Sequence, residues 1–493
     1  MMRHWRVLLS ALMISLPWPA PASVADAPVS SGPLLSLTRV EAAKPLLQRR
    51  LQPASVHVPL RQWVTEDGLR VAWLHTPQLP MLDARLIYDA GAARDGSQPG
   101  LATALTSLLD EGTEVRDAQA VAEGFEQLGA VFSASSFRDM AMLQLRVLSE
   151  PGVRDAAMAL LAEVASRPAL TEQDWLRQQE SMRIGQRQRQ QSPAGRAGLL
   201  FFQKLYGDHP YANPPGGLAA AIERMRIEDI RAFHRRYFSR QNAVLVLVGD
   251  LPLADAEVLA RQVSVQLPAG QPAPALPPVP ALTKAIRHHE NFASQQVHVI
   301  LGEVGISRQD PDYYALTVAN ELLGGSGFGT LLMRELREKR GLTYGVSSQF
   351  ALMREAGPFQ IAFSTRADQA EAALELTQSL LRRFVQEGPA AAEVARAKQN
   401  LMQSFPRYLA SNDQLASYLG LMAFYGLPGD YLDQYLSRLA AVTPEQVRDA
   451  VSRRLHPDRM LVVTVGPAPA TAESRPVRAP AAEAAAAREA VAP

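Results

Sequence analysis

The chain has 493 residues, 47% apolar and 20% charged, with 50 Lys and Arg against 49 Asp and Glu, a net charge of +1. That length holds two large domains or about three ordinary ones, and the balanced charge argues against a dedicated nucleic-acid binder, which carries a basic excess. There is no cysteine, which excludes disulfides, thiolate metal sites, iron–sulfur clusters, cysteine nucleophiles and lipidated-cysteine anchors.

Residues 1–25 carry Arg3 and Arg6, then the mostly apolar stretch 7–16, then the small-x-small sites Ala20-Pro21-Ala22 and Ser23-Val24-Ala25. This is the pattern of a secretory signal peptide. Ten helical residues span only ~15 Å of a ~30 Å hydrocarbon core, too little for an anchor. No later window has 18 uninterrupted apolar residues. The expectation is an exported chain, most simply periplasmic, with no membrane span after processing. Residues 26–55 read as an N-terminal extension.

From residue 56 the periodicity alternates between two kinds. Residues 70–75, 84–88, 140–147 and 244–248 predict strands, and 100–110, 118–128, 153–166 and 171–190 predict amphipathic helices. This first domain is expected to end at 266. Residues 267–280 hold six prolines in fourteen positions, and proline removes backbone donors, so 267–283 predicts an extended linker. In the second domain, 284–467, residues 312–323 and 369–386 read as helices and 360–364 as a strand. The Ala- and Pro-rich tail 468–493 predicts disorder.

The two flanks of the linker resemble each other. The offsets are 212 residues from Pro99 to Pro311, 213 from Phe137 to Phe350 and 217 from Gly249 to Gly466. A nearly constant shift predicts an internal duplication. Strands interleaved with helix pairs predict an α+β fold of two homologous sandwich domains, each a mostly antiparallel sheet with helices packed on one face.

The histidines, at 4, 57, 75, 209, 234, 288, 289, 298 and 456, form no His-Glu-x-x-His or His-x-x-Glu-His. The pattern that places two zinc ligands on one helical face is therefore absent. There is no Gly-x-Ser-x-Gly elbow and no Walker loop. Gly324-Gly-Ser-Gly-Phe-Gly329 follows a helix, the wrong context for a dinucleotide site. It reads either as a flexible turn or as a place where Gly324 and Gly325 let a bound peptide approach the backbone.

The segment Leu332-Met-Arg-Glu-Leu-Arg-Glu-Lys-Arg-Gly-Leu-Thr-Tyr-Gly-Val346 resembles a segment of the pitrilysin/insulinase-type (M16) peptidases, short two-domain class. His209-Pro-Tyr-Ala-Asn-Pro-Pro-Gly-Gly217 and Asn242-Ala-Val-Leu-Val-Leu-Val-Gly-Asp250 extend the likeness over roughly 60–466. In active members of the family, two histidines of Gly-Leu-x-His-x-x-Glu-His bind zinc and the glutamate polarises water. Placed on that motif, Thr103 and Ser107 occupy the histidine positions and Thr106 the glutamate position. Hydroxyls are poor zinc ligands, and threonine is no general base near neutral pH. The family's third ligand falls near Ile184 or Gly185, with Glu180 one turn too early.

The resemblance assigns Arg337 and Tyr344 to the pair that, in the family, holds substrate and stabilises the oxyanion. Ser133, Ala134 and Ser135 match a family edge strand that binds peptide by strand addition, or are an ordinary strand end. The resemblance thus implies a non-catalytic chain with no cofactor of its own. Its partner, an M16 subunit carrying His-x-x-Glu-His, supplies zinc, and together they hold a peptide or unfolded polypeptide. Two rivals stand beside it: a peptide-binding or scaffold protein with no proteolytic role, and a self-sufficient hydrolase with a different site.

Overall fold

The computed structural model describes residues 58–468 apart from Ser326 and Phe328, all within one compact unit spanning 55–493. The expected signal peptide, N-terminal extension and, from residue 469, the tail lie outside the described residues.

The strands of the first half are β1 (Arg61–Val64), β2 (Arg70–His75), β3 (Met81–Tyr88), β4 (Val131–Ser136), β5 (Ala141–Leu148) and β6 (Ala243–Gly249). Those of the second are β7 (Ile286–Asn291), β8 (Gln296–Val304), β9 (Val346–Phe350), β10 (Pro358–Arg366) and β11 (Leu461–Gly466). They form two sheets, in the orders β1-β2-β6-β3-β5-β4 and β7-β11-β8-β10-β9. Apart from β1 the two orders are the same. In each sheet one pair is parallel, β2 with β6 and β7 with β11, and the others are antiparallel. The duplication written in the sequence offsets is therefore a duplication of topology.

Each sheet buries both faces. The odd residues of β6, Ala243, Leu245 and Leu247, pack into the core of their own half, among helices Pro151–Ser166 and Ile227–Tyr237. The even residues, Val244, Val246 and Val248, belong to the core built largely by the second half. The helix Asn412–Tyr425 lies on that face, against β6 and β3. Gly420 permits the close approach: a Cβ there would sit 2.7 Å from Ile87 Cδ1.

The second sheet shows the reciprocal arrangement. Leu461, Val463 and Val465 of β11 pack with Phe201 and Leu205 from the first-half helix Pro193–Tyr206, and Phe201 lies over Gly302 of β8. The expected helices on one face are present. The opposite face is covered by a helix contributed by the other half, and period-2 alternation of side chains makes both contacts at once.

Polar groups tie the halves as well. Asp139 is buried in the turn after β4 and accepts bonds from Tyr211 Oη at 2.6 Å, Tyr425 Oη at 2.9 Å and the Arg354 N–H at 2.8 Å. The proline-rich stretch has neither helix nor strand from 267 to 285. It is strapped to the first half, with Arg94 donating to the Pro274 carbonyl at 2.7 Å and the Ala273 N–H to Asn242 Oδ1 at 2.9 Å. Among the described residues no helix is long and apolar enough to cross a membrane.

Phe201 is fully buried between the halves. Phe201→Ala is expected to lower stability by about 3–5 kcal/mol. Calorimetry is expected to show one cooperative transition before and after the substitution; two separate transitions would contradict the shared cores.

Candidate functional site

The predicted helix 100–110 is shorter in the structure, Leu101–Thr106. Its start is held by Asp95, buried, whose carboxylate accepts the N–H groups of Gly100 at 2.6 Å and Ala102 at 2.9 Å. Burial pushes the Asp95 pKa up to about 8, against the pull of those two donors. The early end has a side-chain cause. Thr106 Oγ1 donates back to the carbonyls of Ala102 and Thr103, at 3.0 and 3.1 Å, and Ser107 Oγ to that of Ala104 at 2.9 Å. Hydroxyls that bond local carbonyls compete with helix continuation.

Thr103 Oγ1 donates to the Pro215 carbonyl. All three hydroxyls at the motif positions are thus engaged by backbone oxygens. The helix Glu172–Gln190 packs alongside. Ile184 points to solvent, 45% exposed, and Gly185 would meet only the Arg189 side chain. Glu180 pairs with Arg187 at 2.9 Å. Two side chains of this helix reach the motif: Gln178, whose Nε2 donates to the Ser107 carbonyl at 3.3 Å, and the buried Met182 near Gly100. Gln178 belongs to no sequence motif; it falls on the helical face of the buried Trp175, Met182 and Gln186.

Among the described residues no group of three or more His, Cys, Asp or Glu could hold a metal ion. Several histidines serve the fold instead. His209 bonds the Pro277 carbonyl and His234 that of Ala165, each at 2.9 Å, and His456 pairs with Glu303 at 2.9 Å. The donors at the motif positions do not fit zinc.

The Arg/Tyr segment is built differently. Met333–Glu338 is a π-helix, with the Lys339 N–H donating to the Arg334 carbonyl; such turns are frequent at functional sites. Glu335 sets the local geometry, pairing with Lys339 at 2.8 Å and Arg340 at 2.7 Å. Those two donors pull its pKa down to about 2. Arg337 is half-buried, and its guanidinium carbon lies 5.4 Å from the Tyr344 ring centroid. Tyr344 is 87% exposed. The structure therefore brings the pair together at the surface.

The two sheets end differently. The edge of the second is covered from within: the Ser348 N–H of β9 donates to the Gly324 carbonyl at 2.7 Å. A Cβ on Gly324 would sit 2.8 Å from Ser348 N, so the close approach expected at this glycine is made to the chain's own strand. Gly325 lies against Glu321 in the same turn. The edge of the first sheet is β4, which carries Ser133, Ala134 and Ser135. It pairs with β5 on one side. Among the described residues its other side has no main-chain partner, and helix Leu101–Thr106 lies beside it.

Comparison with known proteins bears on the family and the fold. Residues 70–208 match the family described as insulinase (peptidase family M16), and residues 224–401 the one described as peptidase M16 inactive domain. A crystal structure of a peptidase M16 inactive domain from Pseudomonas fluorescens is 40% identical, covers 83% of this chain and 98% of that one, and superposes with a TM-score of 0.80. A protease from Helicobacter pylori shares the fold at 21% identity and a TM-score of 0.77, over 83% of this chain and all of that one. An uncharacterized zinc protease of Streptomyces coelicolor is 26% identical over 83% of this chain and 90% of its own length.

Glu335 generates a pH prediction. Its pKa is lowered on folding from the usual 4.5 to about 2, so its contribution is present above 4.5 and is lost as pH falls toward 2. Unfolding midpoints measured from pH 5 to 2 are expected to fall less steeply in Glu335→Gln than in the parent. Parallel curves would show that the clamp adds nothing.

Proposed function

The chain belongs to peptidase family M16, and from that premise we propose that it is the non-catalytic subunit of a periplasmic heterodimeric zinc peptidase. The partner carries His-x-x-Glu-His and supplies the metal and the base. This chain closes the peptide-holding chamber and presents Arg337 and Tyr344 to the partner's site. A guanidinium and a phenol donate hydrogen bonds to the oxygen of the scissile carbonyl as negative charge develops on it. Preorganised donors of that kind are worth about 10²–10³ in rate each.

One observation carries this reading: the unequal state of the two halves. The hydroxyls of Thr103, Thr106 and Ser107 are engaged by main-chain carbonyls, whereas Tyr344 is presented to solvent within cation–π distance of Arg337. Peptide is held by strand addition at β4, along Ser133, Ala134 and Ser135, where main-chain bonds do not depend on side-chain identity. The open outer side of β4 supports this role. Gly324 and Gly325 line the opposite edge from within, against Ser348 and Glu321. Residues 1–25 are the export signal.

The open β4 edge by itself also favours a second reading, a peptide-binding or scaffold protein without a proteolytic role. Peptide hydrolysis distinguishes the two. The purified chain alone is expected to turn over no peptide, and its complex with a zinc-bearing M16 partner to do so in a chelator-sensitive way. In that complex Arg337→Ala and Tyr344→Phe are each expected to lower kcat by about 10²–10³. Full activity in both variants would overturn the composite site and leave the scaffold reading.

A further inference from the structure

Helix Pro193–Tyr206 follows helix Glu172–Gln190 after a two-residue break, and the loop 213–217 lies across their junction. Together with Arg138 they enclose a pocket of about 250 Å³. Among the described residues three arginines line it, Arg138, Arg189 and Arg196, and no aspartate or glutamate does. Arg196 is neutralised from outside by Glu290 at 2.7 Å. Among the described residues the other two form no ion pair. Arg138 spends one nitrogen on the carbonyls of Tyr211 and Asn213, and its guanidinium carbon stands 3.9 Å from the Phe202 ring centroid. Arg189 spends one nitrogen on the Gly216 carbonyl at 2.9 Å.

We propose that this pocket binds a compact oxyanion, either the C-terminal carboxylate of a peptide or a free phosphate, between the guanidinium groups of Arg138 and Arg189. Withdrawing a cation from water is unfavourable unless something compensates it. This bears chiefly on Arg138, whose pKa burial lowers to about 10; Arg189 is withdrawn only in part, and its pKa is lowered in the same direction. The guanidinium fork matches the planar geometry of an oxyanion. The N-terminus of the 14-residue helix Pro193–Tyr206, with Gly195 in the lining, adds its partial positive charge. Gly216 leaves the room: a Cβ there would sit 2.5 Å from Arg189 Nη2. Phe202, Leu199 and Pro214 form the apolar wall, which suits the side chain of a terminal residue. The volume is below the ~300–1,000 Å³ of drug-sized ligand sites. The pocket adjoins the first-half motif through loop 213–217, yet the inference stands apart from the role of Arg337 and Tyr344.

The test is calorimetric titration of the full chain with three probes: inorganic phosphate, an acetylated apolar dipeptide with a free C-terminal carboxylate, and the same dipeptide amidated. At least one acid is expected to bind and the amide not to. Arg189 is exposed, so Arg189→Gln is expected to keep the parent unfolding temperature while weakening binding at least about tenfold, the loss of one charge-assisted contact. Gly216→Ala, which displaces the guanidinium, is expected to weaken it in the same direction. Binding of the dipeptide acid alone assigns the source to a peptide end, and binding of phosphate alone assigns it to the free ion. Binding of neither acid at millimolar concentration, equal binding of the amide, or unchanged affinity in a folded Arg189→Gln would overturn the proposal.

Discussion

The structure depends on one constraint: β6 and β11 are buried on both faces, so each sheet needs two covers, and its own half supplies only one. The seven residues of β6 are all buried, and so are the six of β11. The second cover comes from across the molecule, Asn412–Tyr425 on the first sheet and Pro193–Tyr206 on the second. Exchange of helices fixes the halves against each other, and ion pairs such as Arg196 with Glu290 and Arg354 with Asp89 cross between them. The Asp139 node then adds direction, because two tyrosine hydroxyls and a main-chain N–H, drawn from both halves, must converge on one carboxylate. A buried polar group left without its partner is costly, so the node specifies the register of the halves as well as holding them.

That rigid frame separates two kinds of surface. On the first half, helix Leu101–Thr106 sits beside the open edge β4, and its hydroxyls face inward to carbonyls. On the second half, the edge is closed by Gly324, and the π-turn clamped by Glu335 carries Arg337 beneath an exposed Tyr344. One half therefore offers a main-chain edge, and the other offers side-chain donors. Under the proposed function both would hold a polypeptide, and among the described residues neither is a metal ligand set.

Much of this was legible in the sequence. Five of the eleven described strands and the helices at 101, 118, 151, 172, 313 and 370 followed from periodicity, and the offsets between Pro99 and Pro311 or Gly249 and Gly466 foretold two sheets of one topology. The continuous apolar run 243–249 also carried the sign of burial on both faces, but which element covers the second face is a long-range fact that no local pattern encodes. The helix at 101 ended early because Thr106 and Ser107 turn their hydroxyls onto the backbone, a choice that propensity does not fix. Gln178 had no motif to mark it: its approach to the Ser107 carbonyl is set by helical phase from Trp175 and Met182. The Arg138–Arg189 pocket had no sequence signature at all, since its arginines come from a turn and a helix about fifty residues apart and meet only through loop 213–217.

The central claim is that this chain's own residues do not hold the metal of its relatives. It is tested most directly by elemental analysis of the purified chain, free of any partner, after dialysis against zinc and then against buffer. The expected result is zinc far below one equivalent per chain, with an unfolding temperature that a chelator does not change. One equivalent of zinc retained through dialysis and removed only by a chelator would contradict it.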